Sequence, residues 1–246
     1  SEHYATTISI CKVCSKCEEA SPDVICTGGC GVRKKTFQYF SKTEDPYKVL
    51  DDFTNYLMTD KTMNRRICFA HNSARYDSHI LLKGFLRRGI KPQIINKGTT
   101  VIRAEVKMRG HSIILRDSYC SIPIPLSEFP KAFDLDCEEK GIFPHMLNTR
   151  EHWGKTWNSV PPVHYFSRKY MKPEQQRKFD EWYSSMQGKP YNQDEILRSY
   201  CELDVEICMK GCLKFRKQMI EHTSWCPFMS GGFHVSCVFQ FILLLF

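Results

Sequence analysis

The chain has 246 residues, of which 42% are hydrophobic and 25% are charged. This composition is typical of a globular domain with a packed core and excludes a disordered chain. The net charge is +8, from 35 Lys and Arg against 27 Asp and Glu, which favours a polyanionic partner. A mildly basic protein without such a partner is the alternative.

The cysteines indicate a reducing, intracellular compartment, although they do not distinguish a nucleus from an organelle. There are 13 of them and no signal-like apolar run at the N-terminus, which favours free thiols or metal ligands over disulfides. Cys11, Cys14, Cys17, Cys26 and Cys30 are spaced C-x2-C-x2-C-x8-C-x3-C. Four thiolates can close a tetrahedral zinc site. We predict Cys11, Cys14, Cys26 and Cys30 as ligands, with Cys17 as the substitute; unliganded thiols in a loop are the alternative.

From residue 51 onward, apolar spacing predicts strands and helices in turn. Glycine and proline mark their limits, with Gly89 ending one helix and Pro173 in the first turn of another. The predicted elements are a helix at 51–57, a strand at 67–70, a helix at 80–86, a hairpin of 99–106 with 112–116, a proline-broken segment with a short helix around 126–134, and helices at 173–186 and 194–221.

The end of the chain has an unusual composition. Residues 233–246 are mostly apolar and include no Asp, Glu, Lys or Arg. These 14 residues are too few to span a bilayer as a helix, so we predict no membrane partner. We interpret residues 228–246 as an alternative or mispredicted transcript end. A buried terminal strand or helix is the other interpretation.

Two short motifs contain the candidate chemistry. The first reads N-x-x-x-Y-D from Asn72 to Asp77, and the second reads Y-x-x-x-D from Tyr200 to Asp204. Two carboxylates delivered from separate elements are what a two-metal phosphodiester-cleaving site needs. Taken singly, Asp77 could instead be a helix N-cap, Tyr200 a core residue and Asp204 a solvated helix residue.

These motifs resemble the second and third exonuclease motifs of family B DNA polymerases. Between them, R-D-S-Y at 116–119, I-P-I-P-L-S-E-F-P-K-A-F at 122–133 and K-G-I-F-P-H at 140–145 resemble the protein-primed branch. That branch includes the polymerases of linear plasmids, adenovirus-like viruses and Polinton/Maverick transposons. The ordered set is far more specific than either motif alone.

The resemblance implies an α/β fold, namely a ribonuclease-H-like 3′–5′ exonuclease domain with a mixed sheet flanked by helices. We divide the chain into a cysteine-rich segment at 1–40, an incomplete exonuclease domain at 41–227 and the apolar tail at 228–246. The implied activity is DNA-directed DNA synthesis with proofreading. The implied partners are the single-stranded primer end of DNA and a terminal protein that acts as primer.

The resemblance also implies roles for the motif residues that would act in hydrolysis. Asp77 and Asp204 would bind Mg²⁺ or Mn²⁺, which prefer oxygen ligands. Tyr200 lies one helical turn before Asp204, and its hydroxyl would orient the attacking water.

Four further positions are implied to contact DNA. Asn72 would hydrogen-bond the substrate or fix the loop, and Tyr76 would stack on the terminal nucleotide. Ser118 and Tyr119 stand where the family has a Ser/Thr-Leu pair that contacts single-stranded DNA or the terminal protein. Tyr119 departs from that pattern, although an aromatic ring can also stack on a base.

The first exonuclease motif, D-x-E, is not found in its expected order. Asp136-Cys137-Glu138 follows the second motif, and Asp204-Val205-Glu206 overlaps the third. We expect the first motif to lie before Ser1, and we predict little or no nuclease activity from this chain alone. The alternatives are a free-standing exonuclease of the same superfamily and a noncatalytic, zinc-stabilised DNA-binding remnant of a mobile element.

Overall fold

The computed structural model describes residues 4–39, 41, 43–74, 76–137, 142–228 and 239–245. The strands are β1 Thr7–Val13, β2 Lys34–Gln38, β3 Arg66–Ala70, β4 Gln93–Lys97, β5 Thr100–Met108, β6 His111–Asp117, β7 Thr156–Trp157, β8 Tyr191–Asn192 and β9 Phe239–Leu245. The α-helices are α1 Lys48–Thr59, α2 Asp77–Arg87, α3 Phe129–Ala132, α4 Pro173–Ser185 and α5 Gln193–Thr223.

Seven strands form one mixed sheet in the order β2-β1-β9-β3-β6-β5-β4. β3 runs parallel to both β6 and β9, whereas the other neighbouring pairs are antiparallel. β7 and β8 form a separate two-stranded ribbon. The predicted mixed α/β sheet flanked by helices is therefore confirmed.

The two faces of the sheet pack against different helices. On one face, Ile8 and Ile10 of β1 lie in the same apolar cluster as Phe53 of α1. On the other face, Phe69 of β3 shares a cluster with Val205 of α5. Because side chains alternate along a strand, β1 and β3 contribute residues to the apolar clusters on both faces of the sheet. None of the helices in the described part of the chain is long and apolar enough to cross a membrane.

The apolar tail contributes a strand to the middle of this sheet. β9 lies between β1 and β3, and its Phe241 and Ile242 are buried in the clusters of opposite faces. The sequence of a strand that is covered on both faces is typically a continuous run of apolar residues, which explains the composition of this segment. A terminal strand is thus the interpretation found for 239–245, with Phe241 and Ile242 buried, while residues 229–238 lie outside the described residues. The transcript-end interpretation stays a prediction.

The cysteine-rich segment is also part of the main sheet. β1 and β2 pair antiparallel, with Ile8 opposite Phe37, and the cysteine loop connects them. All seven residues of Thr7–Val13 are buried. The boundary that we predicted at residue 40 therefore does not separate the cysteine-rich segment from the main sheet.

Candidate functional site

The first motif lies at one edge of the sheet. β3 and β6 are parallel, and Ala70 at the end of β3 stands opposite Asp117 at the end of β6. The loops that leave these strands therefore begin side by side. They bring residues 72–77 and residues 118–119 to the same edge, which we name the carboxyl edge.

Asp117 organises the carboxyl edge. Its side chain is buried and accepts three backbone hydrogen bonds, each 2.8 Å long, from the N–H groups of Asn72, Ala74 and Tyr119. A carboxylate that accepts several N–H groups holds a loop firmly, since such charge-assisted bonds are stronger than neutral ones. Asp117 thus fixes both loops relative to each other.

His71 and Ser118 form a buried pair beneath these loops. Ser118 is fully buried, and its hydroxyl lies 3.0 Å from Nδ1 of His71. Nε2 of His71 lies 2.9 Å from the carbonyl oxygen of Ile124. Because a carbonyl can only accept, Nε2 carries the hydrogen, and Nδ1 accepts the bond from Ser118. This placement favours a supporting role for Ser118 over the direct DNA contact that we predicted.

Three residues of the predicted DNA contact face outward at the carboxyl edge. Tyr76 is 41% exposed, Tyr119 is 37% exposed, and Asn72 is exposed as well. Asn72 has φ of 56°, a left-handed conformation that asparagine tolerates better than most residues. The ring of Tyr119 packs edge-on against His71, with centroids 5.5 Å apart, which orients it without covering it.

Asp77 is the first residue of α2 and is half-buried. The N-cap is Tyr76, and no side chain caps this helix, so the N-cap alternative for Asp77 is wrong. Burial, and then the nearby charge of Asp117, raise the pKa of Asp77 from 3.8 to about 7. A carboxyl group with such a shift is a candidate for proton or cation binding.

Tyr200 lies inside the fold. It is 6% exposed and packs on Phe143 with ring centroids 5.3 Å apart. Its hydroxyl lies 3.5 Å from Nε2 of His145, which is exposed. The hydroxyl of this buried tyrosine therefore lies next to the imidazole of an exposed residue. We did not predict His145 as a site residue, although it ends the K-G-I-F-P-H segment.

Asp204 is on α5 one turn beyond Tyr200 and is 2% exposed, so the solvated-residue alternative is wrong. Asp117 is the one charged group identified as shifting the pKa of Asp77. Among the described residues, no three carboxylate or imidazole groups approach closely enough to share an ion. The two motif aspartates lie on separate helices, α2 and α5, and neither belongs to such a group of three.

The cysteine loop does form a cluster. The sulfur atoms of Cys14, Cys17, Cys26 and Cys30 all lie within 4.8 Å of one another, and all four residues are buried. Cys11 is not among them, so the predicted ligand set was wrong at this position. The residue lies in β1, where its thiol donates to the sulfur of Met209 at 3.3 Å.

The thiols of the cluster have unequal acidity. Burial alone would raise the pKa of Cys26, but the backbone N–H groups of Cys30 and Gly28 and the neighbouring thiols lower it to about 6. Burial and the other thiols instead raise the pKa of Cys30 well above 9.0. The cluster therefore contains at least one thiol that ionises readily.

Comparisons with known proteins identify the family. The model of the DNA polymerases of type B, organellar and viral, matches residues 40–231, which are more than three quarters of the chain. The chain belongs to this family. No curated protein matches it. The resemblance to family B DNA polymerases is therefore confirmed.

A solved structure of the phi29 DNA polymerase complexed with single-stranded DNA is also similar to this chain. The two are 14% identical, with a TM-score of 0.40, over 77% of this chain. The similar region is 26% of the phi29 polymerase chain, so this chain spans about a quarter of that protein.

Proposed function

We propose that this chain is the exonuclease-domain part of a protein-primed type B DNA polymerase from a mobile or viral-like element. The parent activity is template-directed DNA synthesis with 3′→5′ proofreading in an intracellular compartment. The proposal includes a ribonuclease-H-like fold and a terminal protein as primer. The family match over 40–231 and the ordered motifs support it.

The observation that carries the proposal is the arrangement of exposed groups at the carboxyl edge. Tyr76 and Tyr119 offer two aromatic faces beside the amide of Asn72, next to Asp77. Aromatic rings bind unpaired bases by stacking, and this requires no particular sequence. We therefore infer that the carboxyl edge binds the single-stranded 3′ end of a DNA primer.

Asp77 is the residue at this edge that fits a divalent ion. Magnesium and manganese bind carboxylate oxygens, and positive charge would favour the ionised form of a group whose pKa is raised to about 7. Asp117 is a poorer ligand because its two oxygens already accept three backbone N–H groups. A bound ion would supply stabilisation of charge on the phosphodiester oxygens.

Tyr200 and Asp204 would act from α5. Their spacing of one helical turn puts both on the buried side of that helix. The Tyr200 hydroxyl, beside His145, is suited to hold a water or a phosphate oxygen by hydrogen bonding. Asp204 would serve as the second carboxylate of the metal site.

Equilibrium binding to a 5′-labelled oligothymidylate tests the proposal by fluorescence anisotropy. Base stacking contributes ~1–3 kcal/mol, so Tyr119→Ala should weaken binding by about fivefold or more. Tyr170→Ala is the matched control, since Tyr170 is 78% exposed in a different part of the chain. Equal effects of the two substitutions, or no binding by the unaltered chain, would contradict the proposal.

The second candidate is a noncatalytic DNA-binding module. Among the described residues, the two motif aspartates belong to no group of three or more possible ligands, which favours it. Such a module would bind the oligonucleotide with strong salt dependence but would not hydrolyse it, whatever divalent ion is supplied.

A further inference from the structure

The loop between β1 and β2 holds its four thiols at the sulfur–sulfur distances of a tetrahedral metal site. The sulfur of Cys14 lies 3.7 Å from that of Cys17 and 3.6 Å from that of Cys26, and Cys17 lies 4.0 Å from Cys30. Zinc binds thiolate at about 2.3 Å, so the sulfurs of a tetrahedral zinc centre are roughly 3.8 Å apart. The observed spacing therefore leaves room for one ion in the middle.

The backbone of the loop is folded toward the same sulfurs. Cys26 and Gly31 exchange backbone hydrogen bonds of 2.9 and 3.1 Å, which close a tight turn. The N–H of Gly28 donates to the sulfur of Cys26 at 3.2 Å. Gly29, with φ of 111°, has a conformation that side chains rarely adopt. Such N–H donors stabilise a thiolate, which is the form that binds metal.

A buried cation stands beside the thiols. Arg33 is 1% exposed, and its guanidinium donates to the carbonyl oxygens of Lys12, Ala20 and Ser21 at 2.8–3.0 Å. Its Nη2 has no hydrogen-bond partner, and no carboxylate of the described residues pairs with it. A buried charge is costly unless an opposite charge lies near it. The segment that Arg33 holds through these bonds, from Lys12 to Ser21, contains Cys14 and Cys17.

We propose that Cys14, Cys17, Cys26 and Cys30 bind one zinc ion as four thiolates, with Arg33 as the counter-ion of that centre. Zn²⁺ with four thiolates has a net charge of −2, which is the negative partner that the buried guanidinium lacks. Each thiol that is protonated beforehand releases its proton when the ion binds, so binding strengthens as pH rises.

The position of the loop indicates what the ion would stabilise. Glu18 of the loop forms an ion pair with Arg216 of α5 at 3.2 Å. The four cysteines share an apolar cluster with Met209 and Leu213 of the same helix. α5 also carries Asp204, so the zinc centre would hold the loop against the helix that presents the second motif.

Metal content of the purified, reduced full chain tests the ligand set. We expect about one zinc per chain by inductively coupled plasma mass spectrometry, as for other closed four-cysteine sites. Cys17→Ser should lose most of that zinc, while Cys11→Ser should retain it. Cys11 is the matched control because it is an equally buried thiol outside the cluster.

Replacing zinc with cobalt tests the proposal on the unaltered chain, so the result does not depend on whether a variant folds. The unaltered chain, stripped of metal and given Co²⁺, should develop the thiolate charge-transfer and ligand-field absorption of a tetrahedral cobalt centre. Absence of both zinc and this spectrum would overturn the proposal, as would bound iron in place of zinc. Zinc lost from Cys11→Ser but kept by Cys17→Ser would overturn the ligand set.

The role of Arg33 needs its own test, by competition for zinc with a chromophoric chelator. Partners of metal ligands typically contribute about 10- to 100-fold in affinity, so Arg33→Met should weaken zinc binding within that range. Arg33→Lys keeps the positive charge and should weaken it less. Equal affinity of Arg33→Met and the unaltered chain would show that the guanidinium is not the counter-ion.

Discussion

The cysteine loop and the carboxyl edge both offer metal-binding side chains, yet among the described residues only the loop gathers at least three of them into one close group. Its four sulfurs come from residues 14–30 and lie within 4.8 Å of one another. Asp77 and Asp204 are 127 positions apart in the sequence and lie on different helices, α2 and α5. A local turn can complete a thiolate site, whereas a carboxylate site depends on how distant elements dock.

Removing metal from the cysteine loop should have the largest effect on stability. Structural zinc contributes directly to folding free energy, and losing a native metal is among the few changes that cost more than about 4 kcal/mol. We expect the melting temperature to fall by about 8–16 °C, since 1 kcal/mol corresponds to roughly 2–4 °C at this size. Calorimetry before and after treatment with a strong chelator measures the change. Identical melting curves would mean that the loop needs no metal.

Replacing Asp117 should loosen the carboxyl edge. Asp117→Asn keeps the shape of the side chain but removes its charge and one of the oxygens that accept backbone N–H groups. Hydrogen bonds to a charged group contribute about 1.5–3 kcal/mol, so we expect a loss of this size in urea unfolding. Asp134→Asn is the control, because Asp134 is exposed. A loss no larger than that of the control would show that Asp117 does not hold the loops.

The pKa of Asp77 predicts how stability depends on pH. The folded chain binds this proton up to about pH 7, whereas the unfolded chain releases it near 3.8. The free energy of unfolding therefore falls as pH rises through this window, by at most about 1.4 kcal/mol per pH unit. Asp77→Asn should flatten that slope in urea unfolding from pH 5 to 8. Parallel curves for both proteins would contradict the shifted pKa.

Magnesium should change the pKa of the same carboxyl group. A cation at Asp77 favours the ionised carboxylate, so its pKa should move back toward 3.8. Carboxyl carbon chemical shifts of Asp77, followed against pH with and without Mg²⁺, measure this directly. An unchanged midpoint would count against Asp77 as a metal ligand in this chain.

The ion pair between the cysteine loop and α5 should matter least. Glu18 and Arg216 are both partly exposed, and such pairs contribute about 0–1 kcal/mol. A double-mutant cycle with Glu18→Gln and Arg216→Met should therefore give a small coupling energy. A coupling above about 2 kcal/mol would mean that charge, rather than metal and apolar packing, fixes the loop on the helix.

Most elements from α1 onward could be predicted from sequence because their apolar spacing is regular. α5 was expected at 194–221 and is found at Gln193–Thr223, with Asn192 as its N-cap accepting from the N–H groups of Asp194 and Glu195. The hairpin of β5 and β6 turns at Arg109 and Gly110, within the predicted turn. These features depend on short-range geometry that the sequence encodes directly.

The strands that were missed, and β9, which was predicted only as an alternative, depend on tertiary context. β1 is buried on both faces and contains Cys11, so its residues were interpreted as part of a ligand loop. β9 completes the centre of the sheet from the far end of the chain. β4 is exposed along its whole length and has no apolar alternation to reveal it. Burial on two faces or on none removes the alternation from which strands are recognised.

The candidate site was predicted in part. The loops that contain Asn72, Tyr76 and Tyr119 leave neighbouring ends of the parallel strands β3 and β6, whereas the roles of these residues stay predictions. The roles of Asp117 and His71 were missed, although Asp117 ends a predicted strand directly before Ser118. The sequence marks such strand-end polar residues, but whether they face the substrate or the loop backbone depends on the packing beneath them.

Digestion of a 5′-labelled single-stranded oligonucleotide in Mg²⁺ tests the central contrast most directly. We expect the metal-loaded chain to bind the oligonucleotide, with affinity reduced by Tyr119→Ala, but to shorten it little or not at all. A robust Mg²⁺-dependent 3′→5′ digestion that is abolished by Asp204→Ala would contradict it. That result would mean that Asp77 and Asp204 form a complete catalytic site in this chain.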